Sequence, residues 1–392
     1  MPGVRTGSAD SPLHGGHCPP WLFARMRRLA GLIAEVAVAD AGTAEFMRRL
    51  ADPIWFQAFG AVLGFDWHSS GLTTVVCGAL KEGVAERQGE LGLFLAGGKG
   101  AQSRHTPEEI AAAGARYGLP AAHVTLAGHS RLAAKVDSAA VQDGFQLYHH
   151  CFAFDRAGRW AVVQQGLCAE TAMARRYHWL GEEVRDFADE PHAAVAGPGT
   201  AGPVLNMVAH DSRQARAASL AVAAQPPAEV LRDLEALRRL EAPAARVVPG
   251  RPTPLSLFGA APSGDRLVLA RAHPIPQAAR IDAVLHRLYR RQPAEYADLL
   301  AEPGVGPATV RALAMVAEVA FGVRAARTDP VRYAFAHGGK DGHPFPVRRR
   351  LYDHSLQVLQ GVLERLHTGD GEQLRALRRL AAWGEATGHR LA

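Results

Sequence analysis

Side chains able to do chemistry are densest between Ser130 and Trp179, where Arg131, Lys135, Asp137, Asp143, Gln146, Tyr148, His149 and His150 follow one another closely. Carboxylates and imidazoles ligate a divalent metal such as Mg or Mn, and a Lys or Gln beside them orients water for attack on a phosphodiester. The expected centre takes Asp143 and His150 as metal ligands and catalytic groups, with Asp137 and His68 as further candidates. Neighbouring strand residues face opposite ways, so His149 and His150 cannot both line one site. His150 shares its parity with Gln146, Tyr148 and Phe152, and His149 shares the more apolar face of Phe145, Leu147 and Cys151. His149 is therefore expected to be structural and His150 functional. An ordinary hairpin with a hydrogen-bonded His pair is the competing reading.

Three stretches have the composition of anion sites. Ser69, Ser70, Thr73 and Thr74 crowd hydroxyls at the expected start of a helix, where free N–H groups and the dipole favour a phosphate. Ala96-Gly97-Gly98-Lys99-Gly100 offers a backbone nest with a point charge, so Gly98 and Lys99 are candidate phosphate contacts, although the spacing is not that of a P-loop. Ala336 to Pro344 is a third Gly-rich basic turn, with Lys340 as its cation.

These groups need a scaffold. Apolar spacing predicts a helix from Pro20 to Ala39, a second starting near Thr43, and a third opened by Asp52-Pro53. Leu91 to Leu95 reads as a strand, and Thr106-Pro107-Glu108-Glu109 as a capping box. Phe145 to Phe154 and Trp160 to Val163 read as a β-hairpin turned at Asp155-Arg156-Ala157-Gly158. Pro and Gly then mark linkers after Asp189 and over Pro243 to Gly264, on either side of two helices. The expected class is α+β in three parts: a mixed domain with a β-hairpin over 1–190, a helical bridge with linkers over 191–264, and an all-helical domain over 265–392.

The last part contains Leu299-Leu300-Ala301-Glu302-Pro303-Gly304-Val305-Gly306-Pro307-Ala308-Thr309-Val310-Arg311. Two apolar helical segments flank a tight Pro-Gly-Val-Gly turn, and Pro307 suits the first position of the second helix. The turn resembles a helix-hairpin-helix motif, which grips a DNA backbone without reading sequence. That resemblance implies Gly304, Val305, Gly306, Thr309 and Arg311 as DNA contacts. A hairpin that merely packs is the alternative.

Composition narrows the class. The 392 residues are 48% hydrophobic and 21% charged, with a net charge of +6. The basic excess lies beyond residue 265, on the side of the hairpin, which supports a polyanionic partner. No apolar run approaches the roughly 20 residues that a bilayer requires, and the first residues lack a signal-peptide core, so a cytoplasmic protein away from membranes is expected. Cys18, Cys77, Cys151 and Cys168 form no Cys-x-x-Cys pair, so no iron–sulfur cluster is expected.

His14-Gly15-Gly16, Gly64 to Gly71, Gly97 to Gly100, Gln142-Asp143-Gly144, Tyr148-His149-His150, Arg176-Tyr177-His178-Trp179 and His337 to Asp341 together resemble the family called domain of unknown function 763 over nearly the whole chain. The resemblance implies no catalytic residues. Residues 280 to 335 also resemble the helix-hairpin-helix DNA glycosylases, which implies Asp329 as a catalytic carboxylate. Ala308 stands where bifunctional members keep a lysine, so any such chemistry is monofunctional. The leading expectation is a DNA-repair or DNA-processing protein acting as a metal-dependent nuclease. The alternatives are a glycosylase and a non-catalytic DNA-binding module.

Overall fold

The structure, a computed structural model, describes residues 18–65, 69–119, 122–198, 204–241, 274–331, 349–366 and 370–386. His68, Lys340 and the His14-Gly15-Gly16 segment lie outside the described residues. In chain order the helices are α1 (Pro20–Ala51), α2 (Pro53–Leu63), α3 (Gly71–Val84), α4 (Gln88–Leu91), α5 (Thr106–Tyr117), α6 (Ala122–Lys135), α7 (Arg213–Ala223), α8 (Pro227–Glu241), α9 (Ala278–Arg291), α10 (Tyr296–Ala301), α11 (Pro307–Phe321), α12 (Arg349–Glu364) and α13 (Asp370–Ala386). The strands are β1 (Leu93–Lys99), β2 (Val141–Gln142), β3 (Gln146–Asp155), β4 (Trp160–Cys168), β5 (Met173–Leu180), β6 (Ala194–Ala196) and β7 (Leu205–Asn206). The fold is mixed α and β. Among the described residues, no helix is long and apolar enough to cross a membrane.

The organising element is an antiparallel sheet in the order β1-β3-β4-β5-β6, and β2 pairs separately with β7. Alternation along the strands sends side chains to two different cores. Leu93, Leu95, Cys151, Ala153, Ala161, Val163 and Leu180 face a core built with α1, α2 and α3. Phe94, Phe152, Phe154, Trp160, Val162, Tyr177 and Trp179 face the other, which takes in α6 to α11.

The expected division at about residues 190 and 265 does not match these cores. Ile281, Val284, Leu285 and Leu288 of α9 and most of α11 join the sheet's second core. Leu359, Val362, Leu363, Leu380 and Trp383 of α12 and α13 join the first, against α1 and α2. One continuous helical domain over 265–392 would have needed its own core, whereas each half buries its apolar stripe against a different face of the sheet.

Local details follow or correct the sequence reading. The first two expected helices appear as a single long element bent at Gly42, whose φ of 82° and ψ of 167° break the helical ladder. Thr43 does not cap a helix there, since its hydroxyl donates to Asp155 Oδ2 at 2.8 Å. Asp52 does cap α2, accepting from the N–H groups of Ile54 at 2.8 Å and Trp55 at 3.3 Å. Glu109 is not part of a capping box. Its carboxylate leaves α5 to accept from Gly97 N at 2.8 Å and Lys81 Nζ at 2.6 Å, which pins β1 to α3. Gly97 is required here, because its φ is 103° and a Cβ would lie 2.1 Å from the His150 carbonyl oxygen.

Candidate functional site: a cavity on one face of β3, a closed network on the other

A β-bulge at the start of β3 decides which side chains meet. Leu147 pairs with Gly166 and His149 with Gln165, so Tyr148 is the extra residue. The bulge interrupts strict alternation, and Tyr148 and His149 line the same cavity. The following residues resume alternation, with His150, Phe152 and Phe154 on the opposite face.

On that opposite face His150 is tied into a chain of hydrogen bonds. His150, 3% exposed, places Nδ1 2.8 Å from Gln164 Oε1 and Nε2 2.8 Å from Ser130 Oγ. A side-chain carbonyl only accepts, so Nδ1 carries the proton and Nε2 accepts from the serine hydroxyl. Gln164 passes the chain on by donating to Asp137 Oδ2 at 2.6 Å. Asp137 sits on a π-helical turn after α6, Val136–Ala140, and also accepts from Trp179 Nε1 at 3.0 Å and bonds His192 Nε2. Burial pulls the His150 imidazole down to about 4, against the opposing hydrogen bond to Gln164.

Asp143 belongs to a second closed set. Its Oδ2 accepts from Arg175 Nη1 and from the Tyr177 hydroxyl, both at 2.7 Å, and its Oδ1 accepts from Phe145 N at 3.1 Å. Burial raises the Asp143 carboxyl, while Arg175 and Tyr177 oppose that shift. Arg175 also donates to Asp329 Oδ2 at 2.9 Å and to Pro198 O at 2.6 Å, and it stacks 4.3 Å from the Phe145 ring. Both oxygens of Asp143 and both ring nitrogens of His150 are therefore already in use, in two separate networks. They do not fit the metal-ligand pair expected from the sequence. Among the described residues no group of three or more His, Cys, Asp or Glu side chains could hold a metal ion.

The other face of β3 opens on a cavity of about 700 Å³ between α3, β1 and β3. The register brings Lys99 opposite His149. Ser69, Ser70, Gly98 and Lys99, each expected as an anion contact, all line this space together with Tyr148 and His149. The Ser69 hydroxyl accepts from the N–H of Gly71, the first residue of α3, at 3.1 Å. Gln165 holds the neighbouring pieces, donating to the Ser70 carbonyl at 2.7 Å and to the Tyr148 hydroxyl. His149 is 2% exposed and neither ring nitrogen has a hydrogen-bond partner among the described residues. Burial first, then the nearby His150 and Lys99, pull its imidazole down to about 3. Burying a polar group without a partner costs about 1 to 3 kcal/mol. Cys77 and Cys151 also line the cavity, and burial pushes the Cys77 thiol well up, so it is held as a thiol.

The hairpin of α10 and α11 turns through Glu302 to Gly306, with Gly304 at φ 84°. Its carbonyls are held from within: Lys135 Nζ donates to Val305 O, Arg287 Nη2 to Pro303 O at 2.9 Å, and Gln142 Nε2 to Pro307 O at 2.9 Å. Val305 is fully buried and Thr309 is 2% exposed, so these side chains are core rather than DNA contacts. Arg311 is half-buried. The exposed material is Pro303, Gly304 and Pro307, with Gly306 and Ala308 partly exposed.

His149, Tyr148, Gln165 and Arg175 were missed or demoted by sequence reasoning. Tyr148 and His149 both stood out as part of the Tyr148-His149-His150 run, but parity cannot be counted through an unseen bulge. No curated protein and no solved structure matches the chain. A family model described as a protein of unknown function, DUF763, matches residues 7–347, and the chain belongs to that family.

Proposed function

We propose that the protein binds DNA in repair or processing, holding the sugar-phosphate backbone at the turn between α10 and α11. The observation carrying this reading is the construction of the turn. Its carbonyls are tied inward by Lys135, Arg287 and Gln142, while the start of the 15-residue α11 faces solvent. A rigid turn ending in the N–H-rich end of a helix suits a phosphate and reads no base. Gly304 and Gly306 supply the close approach, so contacts fall on the backbone rather than on Val305 or Thr309. Base excision is the weaker reading, because Asp329 is committed to Arg175 at 2.9 Å and to Val331 N at 2.9 Å.

Gly306 gives a clean test, since its backbone is extended and a Cβ there meets nothing within 4 Å. Gly306→Glu should preserve the melting temperature and weaken binding to labelled single- and double-stranded DNA by about tenfold, equivalent to roughly 1.4 kcal/mol. Wild-type affinity should fall steeply with salt and vary little with sequence. Incubations with Mg²⁺, Mn²⁺ or EDTA report cleavage. Salt-independent binding, or unchanged binding by Gly306→Glu, removes the DNA reading. Tight binding without cleavage leaves a non-catalytic module.

A further inference from the structure

The cavity between α3, β1 and β3 combines features that separately mean little. It is large enough for a small-molecule ligand, whose sites run from about 300 to 1,000 Å³. Its charge is unbalanced. Lys81 is neutralised by Glu109 at 2.6 Å and Glu82 faces Arg27 at 3.8 Å, whereas Lys99 has no carboxylate partner among the described residues and sits 6.0 Å from the Tyr148 ring. The N-terminal turn of the 14-residue α3 enters the same space with Ser69, Ser70 and Thr74. The independent observation is His149, 98% buried against the cavity with a potential donor and a potential acceptor both unpartnered among the described residues. A purely apolar ligand would leave those nitrogens unpaired. Phe23, Phe65 and Val75 form an apolar wall beside the polar groups.

We propose that this cavity binds a phosphomonoester the size of a mononucleotide, with its phosphate between the start of α3 and Lys99, its base against Phe23 and Phe65, and a hydrogen bond to His149. A dianionic phosphate meets the unbalanced lysine and the helix N-terminus, and the base fills the apolar wall. The inference deepens the DNA reading by naming what the N-terminal cavity holds, and it needs nothing from the α10–α11 turn.

The test is calorimetric titration of the full chain with inorganic phosphate, deoxyadenosine 5′-monophosphate and deoxyadenosine, alongside ¹⁵N spectra of the histidine rings. The monophosphate should bind at least about tenfold more tightly than the nucleoside, and the ring resonances of His149 should shift while those of His150 stay in place. His149→Leu should weaken binding by about tenfold without lowering the melting temperature, and Lys99→Gln should weaken it and flatten its salt dependence. Equal affinity for nucleoside and monophosphate, or His149 resonances unmoved at millimolar ligand, overturns the proposal. Gly306→Glu separates the two ideas: it should lose DNA affinity and keep the monophosphate site, and loss of the monophosphate in that folded variant also counts against the cavity.

Discussion

His149 and His150 are adjacent and equally buried, yet one side of β3 treats its imidazole as structure and the other leaves it idle. His150 is the second link of a chain from Ser130 through Gln164 to Asp137, in which every donor meets an acceptor. His149 faces a cavity with both nitrogens unpaired among the described residues. Burial alone therefore does not say what a polar residue is for. A satisfied buried network rigidifies a core, and a buried polar group without a partner calls for one, whether a water or a ligand.

The comparison breaks first at Arg175, the most connected member of the closed side. Arg175→Ala removes the counter-charge of the buried Asp143 carboxylate, and urea unfolding should record a loss of about 3 to 5 kcal/mol. A loss below about 1 kcal/mol would mean that the network is not closed. Next in size is His150→Ala, which strands the Ser130 hydroxyl and the Gln164 carbonyl and should cost about 2 to 3 kcal/mol. His149→Leu should cost less than about 1 kcal/mol or stabilise, because it removes an unpaired polar group from a cavity wall. If His149→Leu proves the more damaging of the two, the roles assigned to the two faces are reversed.

A further test is a dependence on pH. The folded-state values of about 3 for His149 and about 4 for His150 lie below the ordinary value of 6.5. The unfolded chain thus binds more protons than the folded one between those limits. The stability linked to these groups is full above pH 6.5 and is lost as pH falls toward 4 and then 3. Each group contributes a slope of at most about 1.4 kcal/mol per pH unit. Urea midpoints of the wild type should fall from pH 7 to pH 4.5, and His149→Leu should show a shallower fall. Identical slopes would place the His149 imidazole in water.

Much of the scaffold is legible in short windows. Asp52-Pro53 announces α2, Asp155 to Gly158 turns the β3–β4 hairpin, and the apolar stripe of α9 buries Ile281, Val284, Leu285 and Leu288. These features are set by neighbours within a helical turn or across a tight loop, and the residue types there leave the backbone little choice. Ser69, Ser70, Gly98 and Lys99 were also readable as anion-type stretches, because hydroxyls at a helix start and glycines beside a lysine have a local chemistry.

The sequence by itself therefore determined the elements and the kinds of group available. Only the tertiary structure decided their company. It joined the Ser69 and Gly98 stretches around one cavity, sent Glu109 from its own helix to β1, sealed Asp143 under an arginine 32 residues away, and drove Val305 and Thr309 into the core. The same holds for the two histidines: a single bulged residue resets which side chains share a face, and no periodicity count reveals it. Whether a polar atom is spent or spare depends on partners distant in sequence, and that accounting closes only when the chain is folded.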